Sequence, residues 1–295
     1  MLSRRHIRVK VFQSLYSYTQ QNKDLQFDIE KEFQNNLNAY INLYYLIIDI
    51  IIILKEISVE EMIIKKNQFM PKKEDLNPNK KFTQNSIFRK VKKLKQNHID
   101  YSKLKSIVKK IFKNIQNGTT YKKYMSSSIN THKESTKIIH HLLRNYLLSD
   151  HRIHELIEEH SIYWNDDLII AYNIFAEKNN NNESITNIKL FRHKNDKLFA
   201  NQLLTKTIKK EKEINSIIQK LVKNWDKDRI AVSDLILMQM AITEMIYIQN
   251  IPYKVTLDEY IEISKEYSTP KSKEFINGIL DVFSKDILPK HLSES

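Results

Sequence analysis

Histidines and acidic residues cluster in one stretch of this sequence at spacings that could hold a metal ion. His151 and His154 lie three residues apart, and three glutamates and a further histidine follow by residue 160. In a helix, side chains three or four residues apart share a face, which is the geometry of metal sites in helical bundles. The chain has ten histidines among many charged residues, so chance clustering with acid pairing explains the stretch better. The sequence therefore predicts no metal site and keeps a metal-dependent helical enzyme as an alternative.

The amino-acid composition gives little support for a nucleophilic active site or for a phosphate-binding loop. No cysteine is present, which removes thiolate nucleophiles and zinc–thiolate sites and fits a reducing, cytoplasmic environment. Only two glycines occur, Gly118 and Gly278, so a glycine-rich loop that binds phosphates or a cofactor is not expected. We therefore expect no enzymatic activity, no catalytic residue and no cofactor.

A cationic cluster stands at the N-terminus, where Arg4, Arg5, His6 and Arg8 begin a helix predicted to run to about Gln20. Cations near a helix N-terminus oppose the helix dipole, so local helix stability does not explain them. Arginine binds phosphate through two parallel hydrogen bonds and stacks on unpaired bases. The cluster therefore indicates contact with a negatively charged partner, with a flexible basic terminus as the plain alternative.

A second cationic region covers residues 65–123, which carry 18 Lys and Arg against three acidic residues. Such a block is the electrostatic footprint expected of contact with nucleic-acid phosphates. Lysine, asparagine and isoleucine are abundant throughout the chain, so biased base composition would produce the same block as a solvated face. Both interpretations remain open. Within the block, residues 67–86 contain two prolines among polar residues and are predicted to be a linker or loop.

The composition predicts an all-α protein. With two glycines and five prolines in 295 residues, the chain lacks the residues that the turns of a sheet protein require. The apolar run Leu43–Leu54 is twelve residues long and contains Asp49. Because a membrane-spanning helix needs about 20 apolar residues, we predict a buried core helix here. Residues 229–249 are apolar on nearly all sides and predict a central helix.

Two helices with clear boundary signals are predicted near the C-terminus. Thr256 and Glu259 have the spacing of a capping box, which predicts a helix start at Thr256. Thr269-Pro270 predicts the cap and first residue of the next helix. Gly278 falls inside that helix, where glycine costs about 1 kcal/mol relative to alanine, so we expect it to allow a close helix contact.

Three blocks of sequence occur in a specific order along the chain. They are Arg4–Arg8 with Gln13, Leu15 and Tyr16; Asp228-Arg229-Ile230 with the apolar run to Ala241 and Glu244; and Pro252–Val255, Asp258-Glu259 and Phe275–Asp281. Together they resemble the NusB family of transcription antitermination factors. The resemblance implies an all-α, NusB-like helical bundle.

The chain is much longer than a typical member of that family. The resemblance stops after the first helix and resumes near Leu198. It is similar to the long NusB proteins of Bacteroidota, which implies a large helical insertion after the first helix. The expected segments are 1–25 for the first helix, 26–190 for the insertion with its basic segment 65–123, and 191–288 for the C-terminal part.

The resemblance also implies binding residues. The RNA-binding residues would be Arg4, Arg5, His6 and Arg8 in the first helix, and Lys271, Ser272 and Phe275 at the start of the last helix. Tyr16 and Asp234 match positions at the interface with NusE, a small-subunit ribosomal protein. The plain alternatives are a core position for Phe275 and an internal ion pair for Asp234, with Arg229 or a lysine.

The implied function is that of an RNA-binding transcription antitermination factor. Together with NusE it would bind boxA of ribosomal RNA leader transcripts within the RNA polymerase antitermination complex and suppress premature termination. A cytoplasmic location and no membrane partner are expected, and a homodimer is left open. The alternative from another class is an RNA-binding module related to those of rRNA methyltransferases. The accompanying enzyme would need a glycine-rich cofactor loop and catalytic cysteines, which this sequence lacks.

Overall fold

The computed structural model describes residues 1–21, 28–91, 100–161, 164, 167–181, 183–185, 188–191, 193–222, 230–248 and 251–289. In this described part the chain forms 14 α-helices and no β-strand, which confirms the predicted all-α class. In chain order the helices are α1 Arg4–Gln20, α2 Ile29–Lys66, α3 Lys73–Leu76, α4 Ser86–Lys90, α5 Tyr101–Asn117, α6 Thr119–Ser126, α7 His132–Leu142, α8 His151–His160, α9 Leu168–Asn180, α10 Lys194–Lys209, α11 Glu211–Leu221, α12 Val232–Tyr247, α13 Tyr253–Tyr267 and α14 Ser272–Val282. Single π-helical turns, Leu143–Leu147 and Phe283–Ile287, follow α7 and α14.

The chain divides into two compact units. Unit 1 combines Met1–Leu37 with Lys189–Ser295, and unit 2 is Asn38–Ile188. Helix α2 therefore contributes residues to both units. The segment boundaries at residues 25 and 190 that the sequence suggested concern the family alignment and remain a prediction.

Unit 1 is built around α12. Residues 236–244 of this helix are buried without interruption, and α12 packs against α1, α10, α11, α13 and α14. The central helix predicted from the apolar pattern is therefore present from Val232 to Tyr247. Its predicted flanks at Asp228, Arg229 and Gln249 lie outside the described residues.

The N-terminus of α1 is held in place from both sides. Ser3 caps the helix by accepting a hydrogen bond from the His6 amide. Leu2 is buried, and its amide donates to the Leu190 carbonyl at 2.9 Å. The predicted helix Arg4–Gln20 is confirmed, and these contacts fix the direction in which its first turn presents its arginines.

Two of the predicted C-terminal helix starts are wrong. Helix α13 begins at Tyr253, directly after Pro252, because Thr256 does not act as a cap. Its hydroxyl instead donates to the buried Glu244 carboxylate. Helix α14 begins at Ser272 and not at Pro270, a shift of the size that helix ends commonly show.

Gly278 does not mark a close helix contact, contrary to expectation. A Cβ atom added at this position would meet no atom within 4 Å. The close approach occurs at Gly118, between α5 and α6, where an added Cβ would lie 2.8 Å from the Tyr146 hydroxyl. Gly118 also separates these two helices.

Unit 2 contains most of the long apolar helix α2. Within α2, the predicted core run Leu43–Leu54 is almost entirely buried. Helix α2 is long and apolar enough to cross a membrane, but 72% of its most apolar window is buried inside the protein. That burial agrees with the predicted core helix.

Residues 67–86 are more ordered than the predicted linker. They contain α3, and Phe82 is buried in an aromatic cluster. The Phe82 ring lies 5.6 Å from that of Phe112 and 5.2 Å from those of Phe88 and Tyr121, centroid to centroid. Because Phe82 supplies core packing, this part of the basic block cannot be removed without opening the core of unit 2.

Candidate nucleic-acid interface

The two exposed arginines of α1 are both paired with carboxylates. Arg4 Nε lies 3.3 Å from Asp196 Oδ1 in the first turn of α10. Arg5 forms two parallel hydrogen bonds to Glu259 on α13, Nε to Oε2 at 2.9 Å and Nη2 to Oε1 at 3.1 Å. The two arginine side chains remain 43% and 46% exposed. Their guanidinium groups are therefore held in position and still reachable from solvent.

Arg8 occupies a different environment from Arg4 and Arg5. Its side chain is 3% exposed and pairs with Glu244 of α12, which is 0% exposed. Two hydrogen bonds join them, Nε to Oε2 at 2.8 Å and Nη2 to Oε1 at 2.6 Å. A buried ion pair of this kind is stable only when further hydrogen bonds satisfy its remaining atoms.

Those further hydrogen bonds come from α13. Thr256 Oγ1 donates to Glu244 Oε1 at 2.8 Å, and Tyr260 Oη donates to Glu244 Oε2 at 3.1 Å. Burial raises the pKa of the Tyr260 hydroxyl, which keeps it protonated as a donor. The Arg8–Glu244 pair therefore joins α1, α12 and α13, and Arg8 acts in packing in this structure.

His6 caps its own helix. The Ser3 amide donates to His6 Nδ1 at 3.4 Å, which completes a reciprocal cap with the Ser3 hydroxyl. Burial, and then the nearby charge of Arg5, lowers the pKa of His6 below its usual range. His6 is therefore mostly uncharged at neutral pH and adds little positive charge to the cluster.

Two clefts flank Arg4. The first, of about 440 Å³, is lined by Ser3, Arg4, Arg5, Arg8, Ile251, Val255 and Glu259. The second, of about 490 Å³, lies along α10 and the end of α12 and also has Arg4 and Ile251 in its wall. Beneath the arginines, the Phe199 ring lies 5.2 Å from Arg4 Cζ and 5.1 Å from Arg8 Cζ. The first turn of α1 thus stands between two open clefts.

Asp234 and Ser272, assigned by sequence to a protein interface and to RNA respectively, contact each other. Asp234 is 5% exposed. Its Oδ2 accepts a hydrogen bond from Ser272 Oγ at 2.7 Å, and its Oδ1 accepts one from Ser268. Asp234 thus has one hydroxyl partner at the end of α13 and one at the start of α14. Its proposed ion-pair partner Arg229 lies outside the described residues.

The protons of this cluster can be assigned. A hydroxyl has one hydrogen to donate, and both serines give theirs to Asp234. The Ser272 oxygen then accepts from Thr269 across 2.8 Å, and the Ser268 oxygen accepts from Ser233 across 3.1 Å. The hydroxyl hydrogens of Ser268 and Ser272 therefore point toward the carboxylate, and those of Ser233 and Thr269 point toward these two serines.

The remaining predicted residues lie near this second cluster. Lys271 is exposed at the N-terminus of α14, and Phe275 is half-buried one turn later. Tyr16 is exposed on α1, with its ring 6.0 Å from Phe12, which in turn lies 5.2 Å from Tyr267. The Phe12 ring thus lies between Tyr16 on α1 and Tyr267 at the C-terminal end of α13.

The predicted RNA residues therefore fall into two groups along α13, one beside its middle and one beyond its C-terminal end. Arg5 contacts Glu259 in the middle of α13, whereas Ser268 and Ser272 follow its end at Tyr267. Eight residues of helix separate Glu259 from Tyr267, which corresponds to about 12 Å. A bound RNA would need to run along α13 to reach both groups.

Sequence analysis missed the carboxylates that hold the arginines. Asp196, Glu244 and Glu259 are separated from their partners by 192, 236 and 254 residues. One available signal was Glu244 itself, an acid within an apolar helix, because such a group requires a buried cation or donor.

The histidine–acid stretch of α8 does not gather into a metal site. Among the residues that the structure describes, no group of three His, Cys, Asp or Glu could hold a metal ion. His154 Nε2 lies 2.9 Å from the Leu148 carbonyl, and Glu159 pairs with Lys103. His151 is exposed beside Asp150 at 3.9 Å.

The similarity of this chain to known proteins lies in its C-terminal helices. Residues 167–285 match the profile of the NusB family. We refer to this matched range as the NusB-family domain. This match begins at Asp167, before the point near Leu198 where the resemblance was expected to resume, and it does not include α1.

Three relatives bear the description transcription antitermination protein NusB. The protein from Salinibacter ruber is 44% identical over 89 residues, 30% of this chain and 56% of its own length. That from Thermodesulfovibrio yellowstonii is 46% identical over 90 residues, 30% of this chain and 60% of its own length. That from Chloroherpeton thalassium is 40% identical over 92 residues, 31% and 44% of the two lengths.

The chain thus spans about half the length of these curated relatives. No solved structure matches it. The NusB-family domain contains Asp234, Glu244, Glu259, Lys271, Ser272 and Phe275. Arg4, Arg5 and Arg8 lie outside the matched range and join the domain through their carboxylate partners within unit 1.

Proposed function

We propose that this protein is an RNA-binding transcription antitermination factor of the cytoplasm. It would bind boxA of ribosomal RNA leader transcripts together with NusE, within the RNA polymerase antitermination complex, and perform no catalysis. The observation that carries the proposal is the NusB-family domain with an arginine-rich helix packed into the same compact unit. The relatives with the antitermination name support the same function.

Arg4 and Arg5 are the phosphate-binding groups of this proposal. Both guanidinium groups are half exposed and already oriented by a carboxylate. A phosphate presents oxygens in much the same geometry as a carboxylate, so RNA can replace Asp196 or Glu259 without rebuilding the arginine side chain. Arg8 supports the site by fixing α1 against α12 and α13. It does not bind phosphate itself, because its guanidinium group is already paired with Glu244.

The partner surface of the proposal is centred on Tyr16, which is exposed on α1 and is linked through the Phe12 ring to Tyr267, the residue before Ser268. Asp234 would act there by holding Ser268 and Ser272, and through them the start of α14. Lys271 and Phe275, on that same first turn, would then extend the RNA contact. This arrangement would couple the protein partner to RNA through one hydrogen-bonded cluster.

The experiment is a titration of labelled single-stranded RNA containing boxA, with and without purified NusE, followed by fluorescence anisotropy. We expect the protein alone to bind the RNA, and to bind it more tightly when NusE is present. The reason is that NusE and the RNA would both contact the start of α14. A scrambled RNA of equal length is the matched control. No binding of boxA RNA in either condition, or equal binding of boxA and scrambled RNA in both, would contradict the proposed function.

A further inference from the structure

The cleft along α10 has the size and composition of a site for a flat polar ligand. Its volume is about 490 Å³, within the range of roughly 300–1,000 Å³ that is usual for ligand clefts. Its wall is formed mainly by Arg4, Asn195, Leu198, Gln202, Lys206 and Tyr247. It therefore combines two amides, an aromatic ring, an apolar side chain and two cations.

The two amides are free to bind a ligand. Asn195 and Gln202 lie seven residues apart on α10, on the same face of the helix and about 10 Å apart along its axis. Within the described part of the chain, neither side chain makes a hydrogen bond. An amide both donates and accepts hydrogen bonds. The pair can therefore read the mixed donor and acceptor edge of a heterocycle that enters between them.

The surface between the amides suits the face of such a ring. Leu198 lies between them in sequence and is 55% exposed, and Tyr247 lines the same cleft. Lys206 Nζ is held at the cleft by donating to the Tyr247 carbonyl at 2.7 Å. Apolar contact for the ring and polar contact for its edge are thus available at one place.

Arg4 connects this cleft to the proposed phosphate site. Its guanidinium stands in the wall of both clefts, paired only at its edge with Asp196 at 3.3 Å. In an RNA strand each base lies next to a phosphate, so a chain that places a phosphate on Arg4 brings a base to the cleft.

We infer that the α10 cleft holds one unpaired nucleobase of the RNA, with the adjoining phosphate on Arg4. Asn195 and Gln202 read the edge of the base, and Leu198 and Tyr247 cover its faces. This inference rests on the proposed function, because it assigns a base to the RNA that Arg4 and Arg5 bind. Unpaired bases are the part of RNA that proteins read by sequence, through stacking and hydrogen bonds to exposed edges.

The test compares the double variant Asn195→Ala/Gln202→Ala with Asn201→Ala. Asn201 is an exposed amide on the same helix that does not line the cleft, so it controls for general effects on α10. The double variant should bind boxA RNA on the order of tenfold more weakly, the usual scale for losing contacts to one base. Its salt dependence should match the wild type, because no phosphate contact is removed.

A set of RNAs, each lacking one base, makes the test specific. One position should exist where loss of the base weakens binding less in the double variant than in the wild type, because the amide contacts to that base are already gone. A free nucleoside monophosphate serves as the second probe and should bind far more weakly than RNA. Equal or tighter binding of the free nucleotide would overturn the assignment to RNA.

The failure of this inference can be told apart from failure of the proposed function. If the wild type binds RNA and the double variant shows the same affinity and the same base-loss profile, the nucleobase site is wrong while RNA binding stands. If no variant and no wild-type protein binds single-stranded RNA, both are overturned. Circular dichroism and thermal melting of each variant confirm that unit 1 is folded in every comparison.

Discussion

The two cationic regions of this chain differ in what their charges face. In unit 1, the three arginines of α1 each lie against a carboxylate, at Asp196, Glu259 and Glu244. In unit 2, Lys81, Lys103 and Lys105 also pair with carboxylates. Lys65, Lys66, Lys72 and Lys73, in contrast, are exposed, and their ammonium groups make no ion pair with any described residue. The number of positive charges alone would rank unit 2 as the stronger RNA-binding region. The ion-pair geometry instead places the arginines with a defined orientation in unit 1.

The difference teaches how specific and non-specific binding can separate within one protein. Unpaired lysines on flexible side chains attract phosphates of any sequence, and salt weakens that attraction. Arginines fixed by carboxylates attract less at long range but present a defined geometry once a phosphate replaces the carboxylate. We therefore expect the arginine end of unit 1 to select the RNA, and the lysines to add affinity without selection.

The largest effect on stability is expected for Arg8→Ala, which tests whether the buried Arg8 has a different role from the exposed Arg4 and Arg5. Removing one partner of a buried ion pair leaves Glu244 uncompensated and should lower the free energy of unfolding by about 3–5 kcal/mol. Chemical denaturation monitored by circular dichroism measures this. Arg4→Ala is the matched control, and it should change stability by less than about 1 kcal/mol because its pair is exposed. An Arg8→Ala protein of unchanged stability that has lost RNA binding would make Arg8 a direct contact.

Asp234→Asn should have the next largest effect. The two serines donate to different oxygens of Asp234, so asparagine keeps an acceptor for only one of them, places an NH2 donor against the other and removes the charge. We therefore expect a loss of about 1–3 kcal/mol in unfolding free energy. Asp234→Lys would in addition bury an unpaired cation, so it is not a clean test of the partner surface. NusE binding by Asp234→Asn, measured by calorimetry well below its melting temperature, should be weakened. Unchanged stability together with abolished NusE binding would show that the acid faces the partner and not the serines.

The sequence correctly predicted those features of these regions that depend on residues close together in the chain. Helix α1 runs from Arg4 to Gln20 as its apolar spacing indicated, and α12 is central because its residues are apolar on nearly all sides. The start of α13 was misplaced because Thr256 has a capping pattern in sequence but gives its hydroxyl to Glu244. The carboxylates of the arginines could not be assigned, because no periodicity relates residues 192 to 254 positions apart.

Glu259→Gln should sharpen the comparison by releasing Arg5. Because the carboxylate competes with phosphate for the same guanidinium, we expect affinity for boxA RNA to rise roughly two- to fivefold, the scale of an exposed ion pair. Glu262→Gln is the matched control, since it removes the same charge one turn later on α13 from a residue paired with Lys265. Weaker RNA binding by Glu259→Gln would show that the carboxylate positions Arg5 for RNA and does not compete.

The same residue gives a pH dependence of stability. Hydrogen bonds from Arg5 lower the pKa of the Glu259 carboxyl. A lowered pKa in the folded state adds stability above the unfolded pKa of about 4.3, and that stability is lost as the pH falls through the folded value. Thermal melting between neutral pH and about pH 3 should therefore show a smaller acid-side loss for Glu259→Gln than for the wild type.

The smallest effect on stability is expected for Lys65→Ala/Lys66→Ala/Lys72→Ala/Lys73→Ala. Exposed lysines without ion pairs should change the free energy of unfolding by no more than about 0.5 kcal/mol each. Deleting residues 65–123 would not be a clean test, because the deletion would also remove the buried Phe82, Phe88 and Phe112. The binding of the four-lysine variant to a long leader RNA should lose about 0.7 in salt slope for each phosphate contact removed. An unchanged slope would indicate that these lysines are only a solvated face.

The most direct test of the central claim is sequence discrimination, measured as the ratio of affinities for boxA RNA and a scrambled RNA. The wild type, the Arg4→Ala/Arg5→Ala variant and the four-lysine variant are compared at several salt concentrations. We predict that the arginine variant loses the discrimination, and that the lysine variant keeps it while binding both RNAs more weakly. Full discrimination in the arginine variant, or its loss in the lysine variant, would contradict the account.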